Sequence, residues 1–179
     1  MLDISTGKFT PNNNEGWKIA PFLSKNDFII SKFWEDNRQK RRESGETGRT
    51  FHFDQLSIYG QRMSMEIRIG RSGYIDEVTL RTDMAANIHE WISKPDWEET
   101  ARRQKKIHDE ILLHETAIPS ELLTDKDELT IDTDWGSISS VMDLSSEPDI
   151  RITIRYRNLS EADKERYLTL GKKYLHGEK

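Results

Sequence analysis

The chain contains no cysteine. That single absence excludes disulfide cross-links, thiol nucleophiles and cysteine-ligated zinc or iron–sulfur centres. A reducing compartment is the simplest home for such a sequence, and the expected location is the cytoplasm. The start, Met1-Leu2-Asp3-Ile4-Ser5-Thr6-Gly7-Lys8, has neither the charged opening nor the apolar core of a signal peptide. No apolar run approaches the roughly 20 residues that cross a bilayer.

The residue spacings of familiar catalytic motifs are lacking too. The histidines are His52, His89, His108, His114 and His176, and none falls into an H-E-x-x-H pairing. His108 and His114 are separated by about 600° of helical rotation, so they point in different directions. They read as surface or sheet-edge histidines. Ser137, Ser139 and Ser140 lack the G-x-S-x-G elbow of a nucleophilic serine. Gly70 and Gly73 punctuate a hairpin turn and lack the rest of a phosphate-cradling loop. No catalytic residue, cofactor or metal is expected from these patterns, and an enzyme is the less favoured class.

What the chain does have is mixed charge. A third of its 179 residues are Asp, Glu, Lys or Arg, with a formal net charge of −5. That balance fits a soluble globular protein without a low-complexity tail. The length suits one domain over 1–179, burying roughly 70% of the unfolded surface. The net negative field works against nucleic acid and anionic lipid as partners and favours a basic protein. The run Arg38-Gln39-Lys40-Arg41-Arg42 can in principle touch phosphates. Its charge, its neighbouring glycines and its want of apolar periodicity make 38–48 an exposed loop instead.

Residues 1–49 are the least regular, with Pro11-Asn12-Asn13-Asn14 and Gly16 marking turns. Ser24 and Asp27 can cap a short helix carrying Phe28, Ile29, Phe33 and Trp34. From Thr50 the period becomes two. Phe51 and Phe53, Leu56 and Ile58, Met63 to Ile69, and Tyr74, Val78 and Leu80 alternate as a half-buried antiparallel meander. Asp96 and Glu99 resemble a capping box before a helix to about Thr116. Its apolar side would carry Trp97, Ala101, Ile107 and Ile111, and its solvated side Arg102, Arg103, Lys105 and Lys106. The pattern then recurs. Leu129 and Ile131, Ile138 and Met142, and Ile150 to Tyr156 predict three strands, and Ser160 and Asp163 open a helix that Gly177 would end. The expectation is an α+β fold, an antiparallel sheet built from two βββα-like units (50–117 and 128–177) with helices packed on one face.

Asp125, Asp127, Glu128, Asp132 and Asp134 form the densest local negative charge. If exposed beside Trp135, they would make an acidic rim with an aromatic anchor for a basic partner. Asp132 and Asp134, read on the same side of a strand, are also the pair an enzyme would use for acid–base work or a hard cation.

Trp135-Gly136-Ser137-Ile138-Ser139-Ser140, with the later Ile152-Thr153-Ile154-Arg155-Tyr156, resembles the immunity proteins encoded beside bacterial polymorphic toxins. The resemblance implies a cytoplasmic protein that binds and neutralises a cognate toxin. It transfers no functional residue. A secretion or assembly chaperone, which would bind an extended segment along a strand edge and would dimerise, is the second class. An enzyme with a pocket near Asp132 or Asp134 is the third.

Overall fold

The alternation from Thr50 onward becomes one large sheet whose two faces differ completely in character. The computed structural model describes residues 2–11, 18–44, 49–82, 94–116, 127–145, 148–157, 162 and 165. Its strands are β1 (Leu2–Asp3), β2 (Lys8–Phe9), β3 (Arg41–Ser44), β4 (Thr50–Ile58), β5 (Gln61–Ile69), β6 (Ile75–Thr82), β7 (Glu128–Thr133), β8 (Gly136–Asp143) and β9 (Asp149–Tyr156). Among the described residues the helices with stated bounds are α1 (Lys25–Ile29), α2 (Lys32–Asp36) and α3 (Trp97–Thr116), and a 3₁₀ turn follows α2 at Arg38–Lys40. The fold is α+β. A small β1–β2 hairpin stands beside a seven-stranded antiparallel sheet of order β3-β4-β5-β6-β9-β8-β7. The meanders β4–β6 and β7–β9 therefore meet through their last strands, with Val78 opposite Ile154 and Leu80 opposite Ile152.

Because successive side chains alternate across a strand, the register fixes each face. One row on the inner face reads Phe51, Ile67, Val78, Ile154, Ile138 and Ile131 from β4 to β7. On the opposite face, Arg42, His52, Glu66, Thr79, Thr153, Ser139 and Thr130 cross all seven strands. The apolar row belongs to a continuous core that includes Phe9, Phe28, Phe33, Trp135 and Leu112. Tight turns keep the strands in register. Tyr59 and Gly60, at φ 53° and 72°, close the β4–β5 hairpin with the left-handed pair that matches strand twist.

The N-terminal segment departs from the expected single helix. Ser24 caps α1 by accepting the Asp27 N–H, and Ser31 starts α2 by accepting the Trp34 N–H, so the chain turns between two helices of five residues. Phe28 meets Phe33, Trp34, Phe51 and Phe53 at centroid distances of 5.3–6.5 Å. Part of the expected exposed loop 38–48 is likewise a strand: β3 pairs with β4 through Arg41↔Phe53 and Arg42↔His52. Arg41 explains this, since its guanidinium lies 3.6 Å above the Trp34 ring and anchors the strand there.

α3 occupies the span expected, but its buried side is different. Ala101, Lys105, His108, Asp109 and Leu112 are buried, while Ile107 and Ile111 are half-buried. Lys105 therefore does not sit on the solvated face. It is buried because its ammonium donates to both carboxylate oxygens of Asp109, at 2.6 Å each, one helical turn away. α1, α2 and α3 each cover the inner face: α1 and α2 through the aromatic cluster, α3 through Leu112 and through Ala101 against Met142 and Ile150. Of the helix expected over 160–176, only Ala162 and Glu165 are among the described residues, both helical and exposed, and His89, His176, Trp17 and Trp91 lie outside them.

Candidate functional site: the acidic edge of the sheet

β7 is the last strand of the sheet, and its sequence alternates as an edge should. Glu128, Thr130 and Asp132 are exposed, whereas Leu129, Ile131 and Thr133 are half-buried. Asp127 precedes the strand and Asp134 follows it, both exposed. Four of the six residues expected at a partner surface therefore line one border. Asp125 lies outside the described residues.

Trp135 does not belong to that surface, and this corrects the expected aromatic anchor. It is completely buried. β7 and β8 are joined by the two residues Asp134 and Trp135, and the turn carries the indole inward while Asp134 stays in water. Thr133 braces the turn, its hydroxyl accepting the Gly136 N–H at 3.2 Å. The indole Nε1–H donates to the Ile4 carbonyl at 2.6 Å, and the ring lies against Tyr156 at 5.8 Å. Gly7 allows the approach, since a Cβ there would fall 2.5 Å from Trp135 Cδ2. The tryptophan thus pins the N-terminal hairpin to the sheet. Tyr156 does the same from β9, donating its hydroxyl to the Gly7 carbonyl at 3.0 Å, and burial pushes its phenol pKa up.

Asp132 and Asp134 do not form a strand-borne pair either. β7 ends at Thr133, which leaves Asp134 in the turn, and Asp132 accepts from Arg157 Nη2 at 3.0 Å. A cleft of about 190 Å³ lies where the β5–β6 turn approaches the end of β9. It is lined by Phe22, Arg71, Tyr74, Asp76, Tyr156 and Arg157 among others, and neither Asp132 nor Asp134 reaches it.

The rest of the polar face, whose central Thr79, Ser139 and Thr153 are buried, shows what makes this edge distinct. There the arginines are matched by carboxylates. Arg68 bonds Asp76 at 3.0 Å, Arg155 bonds Glu77 at 2.7 Å, and Arg81 and Arg151 share Asp149. At the edge, Arg157 holds Asp132 and the Thr130 hydroxyl donates to Glu128 at 2.8 Å. Among the described residues, no cation pairs with Asp127, Glu128 or Asp134. Their charge remains directed at solvent.

A second polar group, which sequence reasoning missed, lies under α3. His108 is fully buried, with Nε2 2.7 Å from the Thr82 hydroxyl. Burial, with the neighbouring Lys105 ammonium, pulls its pKa down to about 4, so the imidazole is neutral at pH 7. Gln104 Oε1 and His108 Nδ1 are buried and have no hydrogen-bond partner among the described residues. The expectation of a surface histidine fails because the helix turns its 101–105–108–112 stripe inward. The adjacent apolar positions 107 and 111 hid that stripe from a hydrophobicity reading.

Comparison with known proteins finds no family model, no curated protein and no solved structure that matches the chain. No helix among the described residues is long and apolar enough to cross a membrane.

Proposed function

We propose that this chain is a non-enzymatic binding protein whose acidic edge meets a basic protein surface. One observation carries the reading. Asp127, Glu128, Asp132 and Asp134 are exposed along a single sheet border, and only Asp132 is held by a cation among the described residues. Concentrated unpaired charge at an edge speeds encounter with a basic partner and penalises like-charged ones. The resemblance of the β8 and β9 segments to immunity proteins makes that partner a basic toxin domain, met in the cytoplasm. A stable complex would cover about 1,600 Å² in total. Its aromatic anchors must come from the partner or from elsewhere on this chain, because Trp135 is inside. The same reading treats the sheet as two strand–strand–strand–helix units joined at β6 and β9.

Affinity capture from the native host, at low and high salt, tests the role. The expected result is one stoichiometric basic partner, retained at low salt and weakened at high salt. Charge reversal by Asp127→Lys with Asp132→Lys should slow association with that partner about ten-fold at low ionic strength, as judged by surface plasmon resonance. Unchanged kinetics would reject this surface.

A further inference from the structure

We infer that β7 binds its partner by strand addition: an extended segment alternating basic and apolar residues pairs with the free edge as an additional strand. The inference rests on the binding role proposed above and specifies its geometry.

The backbone supplies the first reason. Asp127 stands opposite Met142 in the β7–β8 register, and the Met142 N–H donates to the Asp127 carbonyl at 2.7 Å. That marks 127 and 142 as a hydrogen-bonded pair. In an antiparallel ladder such pairs alternate with unbonded ones. Leu129↔Ser140, Ile131↔Ile138 and Thr133↔Gly136 are therefore bonded, and Glu128, Thr130 and Asp132 turn their N–H and C=O groups away from β8. No strand pairs with that side among the described residues. The edge offers a continuous ladder over the length of β7.

The side chains select the occupant. Glu128 and Asp132 flank Thr130 on the polar face, while Leu129 and Ile131 remain half-buried on the inner face, packed against the core. A strand laid along this border would place alternate residues beside carboxylates and beside aliphatic surface. Lysine or arginine suits the first set, and valine, isoleucine or leucine the second. A second copy of this chain is a poor fit. Antiparallel β7–β7 pairing would set Glu128 and Asp132 against like charges, the usual means by which an edge resists itself. The basic border at β3 is already engaged, with Arg41 over Trp34 and Arg42 on Asp54.

The decisive variant is Thr130→Pro. Proline removes an outward N–H and places its ring on the open side, which an edge strand tolerates without losing its inner ladder. The probe is a synthetic peptide alternating lysine and valine, followed by amide exchange and chemical shifts in NMR titration. Binding should slow exchange at Glu128, Thr130 and Asp132. Thr130→Pro should weaken it about ten-fold, as a lost bond and a steric block together would do. The same peptide, N-methylated on its bonding positions, should fail equally against the unmodified protein, which decides the matter if the proline variant does not fold. Full-strength binding of the N-methylated peptide, lost on Asp127→Lys with Asp132→Lys, would overturn strand addition and leave the acidic binding surface standing. Equal binding of a glutamate–valine peptide would overturn strand addition together with the acidic-surface reading. Concentration-dependent dimerisation abolished by Thr130→Pro would assign the edge to a second copy and overturn the foreign segment.

Discussion

The two borders of the seven-stranded sheet are finished in opposite ways. At β3, the strand is short, its Arg41 stacks on Trp34 and donates to the Trp34 carbonyl at 3.3 Å, and α1 and α2 fill the space behind it with aromatic rings. At β7, the aliphatic residues are half-covered and the carboxylates face water. The helix nearest that half, α3, packs on β8 and β9 with a buried stripe that is largely ionisable. One border is sealed by packing. The other carries exposed carboxylates, one of the means by which natural sheets keep an edge from pairing with another.

The largest expected effect lies at the sealed end. Phe28→Ala removes a fully buried ring that touches four others, and should cost about 4 kcal/mol in urea unfolding. If instead the loss is under about 1 kcal/mol, the aromatic cluster is not what closes β3. At the other end, Asp109→Ala strands the buried Lys105 ammonium and should cost about 3 kcal/mol. The double variant Lys105→Met with Asp109→Leu should recover most of that stability, because it replaces the pair with apolar volume.

Acid should separate the two halves. His108 has its folded pKa depressed to about 4 from 6.5, so the unfolded chain binds more protons between those values. Its contribution is fully present above pH 6.5 and is lost as the pH falls toward 4, by on the order of 3 kcal/mol. His108→Gln should flatten that part of the stability profile. Amide exchange near α3, β8 and β9 should accelerate first on acidification, with the aromatic end following later. Simultaneous loss would mean that the two ends of the sheet open as one unit. The smallest effect belongs to the open edge itself. Asp132→Asn breaks the exposed pair with Arg157 and should change stability by less than about 1 kcal/mol in thermal unfolding. A larger loss would give the edge a structural role.

Much of this architecture was legible before any coordinates. The strands from Thr50 to Thr82 and from Glu128 to Tyr156 follow from period-two alternation, and the span of α3 from its helical period, because both signals depend on neighbours a few residues apart. The exposure of Asp127, Glu128, Asp132 and Asp134 was a condition in the sequence that the fold meets, since charge alone does not decide it: Lys105 and Asp109 are buried. Three features were not legible in this way. Trp135 is inside because Gly7 and Ile4, more than a hundred residues away, accept its ring and its N–H. The buried stripe of α3 carries Lys105, His108 and Asp109 because each finds a neighbour that offsets part of its desolvation, a pairing hydrophobicity cannot report. The strand order brings β6 to β9 and leaves β7 at the border. Local periodicity says that a residue alternates or turns. Long-range closure of the chain alone decides what lies across from it, and thus which acidic strand stands at the border of the described sheet.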